Sequence, residues 1–148
     1  MSKYPSQFKV YKKIGAAQFG FIRPKQDAQG RIEKDGAILL EVAKSKGEKS
    51  YDWSNKISFA IGLSDLTNIF EDTNAHTTLI HTMPSSPITK KLEIQPGEGR
   101  YQGTFKLVIS EFSKDKSVSK TVMVPLSGGE YNVLLRLFVS AAPSMIGW

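Results

Sequence analysis

The chain has 148 residues, enough for a single domain with its own hydrophobic core. Apolar residues make up 40% and charged residues 23%, a composition that excludes an intrinsically disordered chain. Twenty Lys and Arg against fourteen Asp and Glu give a net charge of +6, which favours a polyanionic partner, and the lack of cysteine excludes disulfides and thiol catalysis.

The first half of the chain predicts short strands followed by a helix. The predicted strands cover residues 10–11, 18–23, 37–43 and 51–61, with a hairpin connection at 27–36. In the last of these strands, alternation places Trp53 and Phe59 on one face and Lys56 on the other. Ser64 is predicted to be the N-cap of a helix of about two turns, with Asp65 in its first turn.

The second half predicts the same order of elements. Its strands are expected at residues 77–83, 89–95, 103–112 and 118–125, separated by segments rich in proline, glycine and charged residues. Ser127 and Glu130 have the spacing of a capping box, and a helix is predicted from Tyr131 to Ala142. The chain is therefore interpreted as one α+β domain, 1–148, with an internal repeat at about 8–72 and 76–148 and with antiparallel sheets.

The predicted C-terminal helix carries one charge, Arg136, and is apolar nearly all round. A single small domain covers only one side of such a helix, so the remaining face predicts contacts between subunits. The residues assigned to this interface are Leu134, Leu135, Phe138 and Ala142. The alternative is a helix that is deeply buried within one subunit.

Sequence patterns typical of catalysis are lacking. His76 and His81 are the only histidines, and no further ligands complete a metal site beside them. No nucleophile motif or phosphate-binding loop is present, and no apolar run is long enough for a membrane span. We therefore expect a protein that is not an enzyme and has no cofactor, no metal and no membrane partner.

Aromatic and basic residues are interleaved along the predicted strands, a pattern typical of surfaces that bind single-stranded nucleic acid. Residues 1–26 also contain six basic residues, among them Lys3, and no acidic one. The candidate binding residues are Lys12, Lys13, Phe19, Phe21, Trp53, Lys56, Phe59, Tyr101 and Lys106. The alternative for each aromatic is a place in the core, and for the charge a solvated surface.

The sequence Tyr51-Asp52-Trp53-Ser54, which follows a Leu-Leu-rich strand and precedes a short helix, resembles the middle of the Whirly family. The ending Pro143-Ser-Met-Ile-Gly-Trp148 resembles the family's terminal Gly-Trp. Lys12 and the pair Ala16-Ala17 match part of a lysine-containing motif of plant members, but the second lysine of that motif has no clear counterpart. Assembly beyond a tetramer is therefore not predicted.

The resemblance implies two four-stranded antiparallel sheets packed crosswise, each followed by a helix. It also implies a homotetramer with its helices at the centre, and single-stranded DNA bound along the sheets with little sequence preference. We expect a role in genome maintenance, recombination, repair or transcription. The alternatives are an RNA-binding protein of the same fold, resembling guide-RNA-binding proteins, and an oligomeric scaffold without nucleic acid.

The expected location depends on the source of the chain. A cytoplasmic, nucleoid-associated protein is expected in a bacterium or phage, and an organellar one only if a transit peptide has been removed.

Overall fold

The computed structural model describes residues 6–72, 76–82, 85–113, 115 and 118–148. Lys3 of the basic stretch and Met83, the expected end of a strand, lie outside these residues. The strands are β1 Gln7–Tyr11, β2 Gly15–Ile22, β3 Lys25–Gln26, β4 Ile32–Lys34, β5 Ala37–Gly47, β6 Ser50–Tyr51, β7 Ile57–Ile61, β8 Thr77–Thr82, β9 Thr89–Pro96, β10 Phe105–Phe112 and β11 Val118–Leu126. The helices are α1 Leu63–Glu71 and α2 Gly128–Met145.

The first sheet is antiparallel, with the order β1-β2-β5-β7. Strand β5 is longer than predicted, and beyond its pairing with β7 it also pairs with the two-residue strand β6. The predicted hairpin connection is a separate two-stranded sheet, β3-β4. Asp27 organises its turn, because its carboxylate accepts the backbone N–H groups of Gln29 and Arg31 at 2.9 Å each.

The second sheet is antiparallel in the order β11-β10-β9-β8. Its apolar residues fall into rows across the strands, as in the row that pairs Leu107 with Ile94 and with Val124. Because side chains alternate along each strand, one face of the sheet is apolar and the other carries polar and charged residues. The arrangement confirms the predicted α+β class with antiparallel sheets followed by helices.

The apolar faces of the two sheets form one core together with the helices. We call these the inner faces and the opposite faces the outer faces. The two sheets are in tight contact at Gly15, where a Cβ atom would lie 2.8 Å from the carbonyl oxygen of Met123 on β11. Only glycine fits this contact between β2 and β11 without a shift of the backbone.

Helix α1 begins at Leu63 and its N-cap is Gly62, so the predicted N-cap, Ser64, is wrong. Asp65 explains the earlier start, because its carboxylate accepts the backbone N–H of Gly62 at 2.9 Å. An acidic side chain at the third helical position ties down the N-cap residue from inside the helix. Leu66 and Ile69 then bury one face of α1 in the core.

Helix α2 confirms the predicted capping box. The Ser127 hydroxyl accepts the N–H of Glu130 at 3.1 Å, and the Glu130 carboxylate accepts the N–H of Ser127 at 2.8 Å. The helix continues past Ala142 to Met145, although it contains Pro143. A proline in the last turn removes only one backbone hydrogen bond, and the complete burial of Met145 favours the extra turn. Neither helix of the described residues has the length and apolar character to cross a membrane.

Candidate nucleic-acid interface

The turn between β1 and β2 carries the first two predicted lysines. The Lys12 N–H donates to the Gly15 carbonyl at 2.9 Å, which closes the turn. The Lys12 ammonium lies 2.7 Å from the Glu130 carboxylate of the α2 cap, so the side chain is half-buried and fixed in place. Lys13 is exposed, and the described part of the chain shows no ion pair for it.

Glu130 is ionised beside Lys12. Burial raises the pKa of its carboxyl, but the hydrogen bonds from Lys12 and Ser127 outweigh burial and hold the pKa below its usual range. The turn is thereby tied to the start of α2. Glu130 partly neutralises the charge of Lys12 and holds its side chain in place. Lys13 is the less restrained of the two cations.

Two tyrosines that sequence analysis did not select lie beside this turn. The rings of Tyr11 and Tyr51 are 5.7 Å apart, and the Tyr51 hydroxyl donates to the Lys12 carbonyl at 2.7 Å. Tyr11 is 55% exposed, so its ring is available to a base. The signal that could have found it is its position directly before Lys12 and Lys13.

Trp53 does not lie on a strand, which corrects the prediction of one strand over 51–61. It begins a 3-10 turn, Trp53–Asn55, between β6 and β7. Asp52 causes the turn, because its carboxylate accepts hydrogen bonds from the side chains of Ser54 at 2.7 Å and Asn55 at 2.8 Å. The same hydrogen bonds lower the pKa of Asp52, that from Asn55 most strongly.

The turn removes a conflict between two predicted site residues. On a strand, Trp53 and Lys56 would point to opposite faces, but in the turn that rule of alternation does not apply. Trp53 is half-buried, and Lys56 pairs with the carboxylate of Glu41 on the outer face of the first sheet. Lys56 therefore lies on the outer face of the first sheet, and Trp53 lies two residues after Tyr51 in the chain.

Two predicted contact residues, Phe19 and Phe59, are core residues. Phe19 is 5% exposed and packs edge-on against Phe138 with ring centroids 6.3 Å apart. Phe59 is 1% exposed and stacks on the His81 ring at 4.1 Å. Both lie on the inner face of the first sheet, so neither has a ring face open to a base. Phe21, farther along the same face, is exposed.

The second sheet contributes a groove of about 680 Å³ that reaches the β1–β2 turn. It brings together Ile14 of that turn, Tyr101, Lys106 and Met123. Tyr101 is exposed in a 3-10 turn, Gly99–Tyr101, and not on a strand as predicted. The Arg100 guanidinium donates to the Tyr101 hydroxyl at 2.7 Å and lies 4.9 Å from the ring centroid, which orients the ring.

A further aromatic and lysine that the sequence analysis missed lie on the outer face of the second sheet. The Lys91 ammonium is 5.4 Å from the centroid of the Phe112 ring. Lys91 also pairs with Glu93 at 3.1 Å, and the Gln95 amide donates to the same carboxylate at 2.9 Å. The alternating charged and polar residues of 89–95 were the available signal.

The two histidines lie in different surroundings. His76 lines the groove of the second sheet, whereas the His81 ring nitrogen lies 2.8 Å from the Asp65 carboxylate. Within the described ranges, no group of three or more His, Asp or Glu side chains is placed to hold a metal ion.

The face of α2 that is open to solvent differs from the one predicted. Leu134 and Phe138 are each 1% exposed and belong to the core, so they are not interface residues. Leu135 and Ala142 are half-buried against that core. The exposed apolar residues are Val133, Leu137 and Val139.

Val133 and Leu137 line an apolar groove of about 530 Å³ together with Phe8 and Phe21. The groove joins the exposed side of α2 to the end of the first sheet. Apolar side chains on a helix and a sheet thus form one continuous exposed surface, such as commonly marks a protein–protein contact.

Comparison with known proteins gives a consistent result. The family model described as Whirly transcription factor matches residues 10–137. The chloroplastic single-stranded DNA-binding protein WHY3 of Arabidopsis thaliana is 27% identical over 128 residues, which cover 80% of this chain and 46% of that protein. The mitochondrial single-stranded DNA-binding protein WHY2 of the same plant is 24% identical over 130 residues, covering 80% of this chain and 51% of WHY2.

Solved structures agree in fold. The crystal structure of WHY1 from Arabidopsis thaliana superposes with a TM-score of 0.86 at 21% identity, covering all of this chain and 89% of that one. The plant transcriptional regulator PBF-2 gives the same TM-score and identity, with 86% of its chain covered.

The chain spans about half the length of the curated relatives it matches. Those relatives are chloroplastic or mitochondrial, which does not support the expected bacterial nucleoid.

Proposed function

This chain belongs to the Whirly family, and from that premise we propose that it binds single-stranded DNA as a homo-oligomer and is not an enzyme. The observation that carries the proposal is the meeting of both sheets at the β1–β2 turn. On one side of that turn lie the rings of Tyr11 and Tyr51, with Trp53 two residues farther along the chain, and on the other lies the groove that contains Tyr101 and Lys106. We call this surface the binding track.

The binding track offers the two kinds of contact that a flexible single strand needs. Unstacked bases gain about 1–3 kcal/mol each by stacking on aromatic rings, whatever their identity. The cations Lys12, Lys13 and Lys106 follow the phosphates and release counterions as they bind, and Lys56, which is paired with Glu41, is a further proposed contact. Phe21 lines the apolar groove beside α2, so we assign it to the subunit contact and not to the binding track.

Duplex DNA is a poorer ligand for this surface. Its bases are already stacked on one another, so the tyrosines and Trp53 have no free base faces to cover. The proposal therefore requires a preference for single strands that depends on the aromatic residues. The lysines alone would bind both forms.

Self-association follows from α2. Val133, Leu137 and Val139 are exposed, and the neighbouring groove with Phe8 and Phe21 extends the apolar surface. We propose a homotetramer that buries this surface, with Leu135 and Ala142 at its margin. Several copies of the binding track on one particle would bind a long strand more tightly through multivalency.

The relatives act in organelles that have their own DNA, as their names indicate. We propose that this protein likewise serves a compact genome, by protecting or regulating exposed single strands. An organellar location accords with the relatives better than a cytoplasmic one.

The test is a competition experiment with labelled single-stranded DNA at two salt concentrations, using unlabelled single-stranded DNA, duplex DNA and RNA as competitors. We expect single-stranded DNA to compete best and the affinity to fall as salt rises. Equal competition by duplex DNA would contradict the stacking surface. Competition by RNA equal to that of single-stranded DNA would assign the track to single strands in general.

A matched pair of lysine variants tests where the binding track lies on the protein. Lys13→Ala should lower the affinity for all sequences alike and reduce the slope of log K against log salt by about 0.7 for one lost phosphate contact. Lys34→Ala removes an exposed lysine from the β3-β4 hairpin, outside the track, and should leave both quantities unchanged. Equal effects of the two variants would contradict the location of the track.

A further inference from the structure

The outer face of each sheet carries the same cluster of three side chains. In the first sheet, the Gln18 amide donates to the Glu41 carboxylate at 3.1 Å, and Lys56 pairs with the other oxygen of that carboxylate. Gln18 and Ser58 are the direct cross-strand neighbours of Glu41. The cluster thus lies across the middle of the outer face of the first sheet.

The second sheet repeats this chemistry with a different geometry. Lys91, Glu93 and Gln95 are alternate residues of β9 and share its outer face. Lys91 and Gln95 bind the two different oxygens of the Glu93 carboxylate. Gln95 also lines the groove that contains Tyr101 and Lys106, so this cluster adjoins the binding track.

A carboxylate on a DNA-binding surface repels phosphates, so its presence on both sheets calls for a role other than backbone contact. Both carboxylates are ionised. The hydrogen bond from Lys56 outweighs burial and lowers the pKa of Glu41, and although burial raises the pKa of Glu93, the hydrogen bonds from Lys91 and Gln95 bring it below its usual range. Each ionised group keeps lone pairs that can accept further hydrogen bonds.

We propose that the two Gln–Glu–Lys clusters recognise guanine in the bound single strand, which makes Glu41 and Glu93 specificity-determining residues. The inference rests on the proposed binding of single-stranded DNA. It adds a base preference to a surface whose stacking contacts accept every base.

Guanine fits because its Watson–Crick edge has an acceptor, O6, beside two donors, N1–H and the N2 amino group. The lysine ammonium donates to O6, and the carboxylate accepts from N1–H and N2–H. Adenine and cytosine each offer one donor group on this edge, and thymine places its single donor between two acceptors. In the first cluster the side chain of Lys56 is 44% exposed and that of Glu41 is 10% exposed. In the second cluster the side chain of Lys91 is 31% exposed and that of Glu93 is 20% exposed. Because each lysine is the more exposed of the two, it is the first to contact the approaching base, through O6.

The first arm of the test uses the unaltered protein. Its affinity is measured for an all-thymine oligonucleotide and for the same oligonucleotide with isolated guanines, with inosines or with 7-deazaguanines at the same places. Inosine lacks only the N2 amino group, and 7-deazaguanine retains the whole Watson–Crick edge. Isolated guanines avoid four-stranded structures.

We expect guanine to raise the affinity about tenfold over thymine, in line with hydrogen bonds to charged groups, and inosine to lose most of that gain. 7-Deazaguanine should behave as guanine does. Equal affinity for guanine and inosine would overturn the inference and leave the proposed function intact. Failure to bind any of the oligonucleotides would instead contradict the proposed function.

The second arm measures the ratio of guanine to inosine affinity in variants. Glu93→Gln and Glu41→Gln should each lower this ratio, although each removes a negative charge from a DNA-binding surface. Glu33→Gln, in the β3-β4 hairpin and paired with Lys25, is the matched control and should not change it. If both variants bind more tightly but keep the ratio, the carboxylates act only as repulsive charges and the inference fails. Glu93 is the less buried of the two, so its variant decides the matter if Glu41→Gln does not fold.

Discussion

The two halves of the chain have the same order of elements, four main antiparallel strands and then a helix, but each half has its own addition. The first half inserts the β3-β4 hairpin after its second main strand, and β6 with the 3-10 turn Trp53–Asn55 before its last one. The second half extends its helix to 18 residues, against nine in α1. The shared elements build most of the core. The insertion carries Trp53, and the longer helix adds the exposed Leu137 and Val139 together with the buried Phe138 and Met145. The two additions therefore differ in what they place near the surface, a tryptophan ring in the first half and apolar aliphatic side chains in the second.

The largest expected effect comes from Phe138, where the two halves meet. Its ring packs against Phe19 of the first sheet and is 1% exposed. Phe138→Ala leaves a cavity and should lower the free energy of unfolding by about 3–5 kcal/mol. Denaturant titration at a fixed protein concentration measures this change. A loss below about 1 kcal/mol would show that the halves are not joined through this contact.

A substitution of Leu137 tests the role of the longer helix α2, the addition of the second half. Leu137→Glu places a charge on the exposed apolar side of α2 and should dissociate the oligomer into 16.4 kDa chains, because a charge is costly to bury in a subunit contact. Light scattering gives the mass directly. Phe70→Glu, which alters an exposed apolar residue of α1, is the control and should keep the oligomer. A native protein that is already 16.4 kDa at micromolar concentration would contradict the predicted assembly.

A substitution of Trp53 tests the role of the inserted 3-10 turn of the first half. Trp53→Ala should weaken binding to single-stranded DNA by about 1–3 kcal/mol, the value of one stacked base, with little change in melting temperature. The small effect on stability is expected because Trp53 is half-buried in a turn that Asp52 holds by its own hydrogen bonds. Trp148→Ala, at an exposed tryptophan outside the track, is the control. A large fall in melting temperature with unchanged binding would make Trp53 a core residue.

The smallest effect concerns Glu41, whose pKa in the folded protein is lowered from its ordinary value of 4.5. A lowered folded pKa means that the ionised form stabilises the fold above pH 4.5, and that this stability is lost as the pH falls through the folded value. Glu41→Gln should therefore cost about 0.2–1 kcal/mol at neutral pH, as for a partly exposed ion pair. The difference from the unaltered protein should vanish in acid. A constant difference at every pH would point to packing as the cause.

Local signals in the sequence were sufficient for most elements. Alternation marked the strands of the second sheet, and the Ser127-x-x-Glu130 spacing marked the start of α2. The same kind of reasoning failed at Trp53, because strand alternation was continued through a segment that Asp52 folds into a turn. It also misplaced the start of α1, because Asp65 caps Gly62 from within the helix and Ser64 was the more obvious capping residue.

The sequence by itself determined the fold class, the family and the kinds of contact expected, since alternation, capping residues and the Tyr51-Asp52-Trp53-Ser54 segment are local properties of the chain. Tertiary structure decided which side chains are available for those contacts. Phe19 and Phe59 look no different from Phe21 along their strands, but the opposing sheet and α2 cover them and leave Phe21 open. Leu134 and Leu137 are likewise both apolar residues of one helix, and only the packing of that helix on the core buries the first and exposes the second. Burial depends on contacts between residues far apart in the chain, which local sequence patterns do not record.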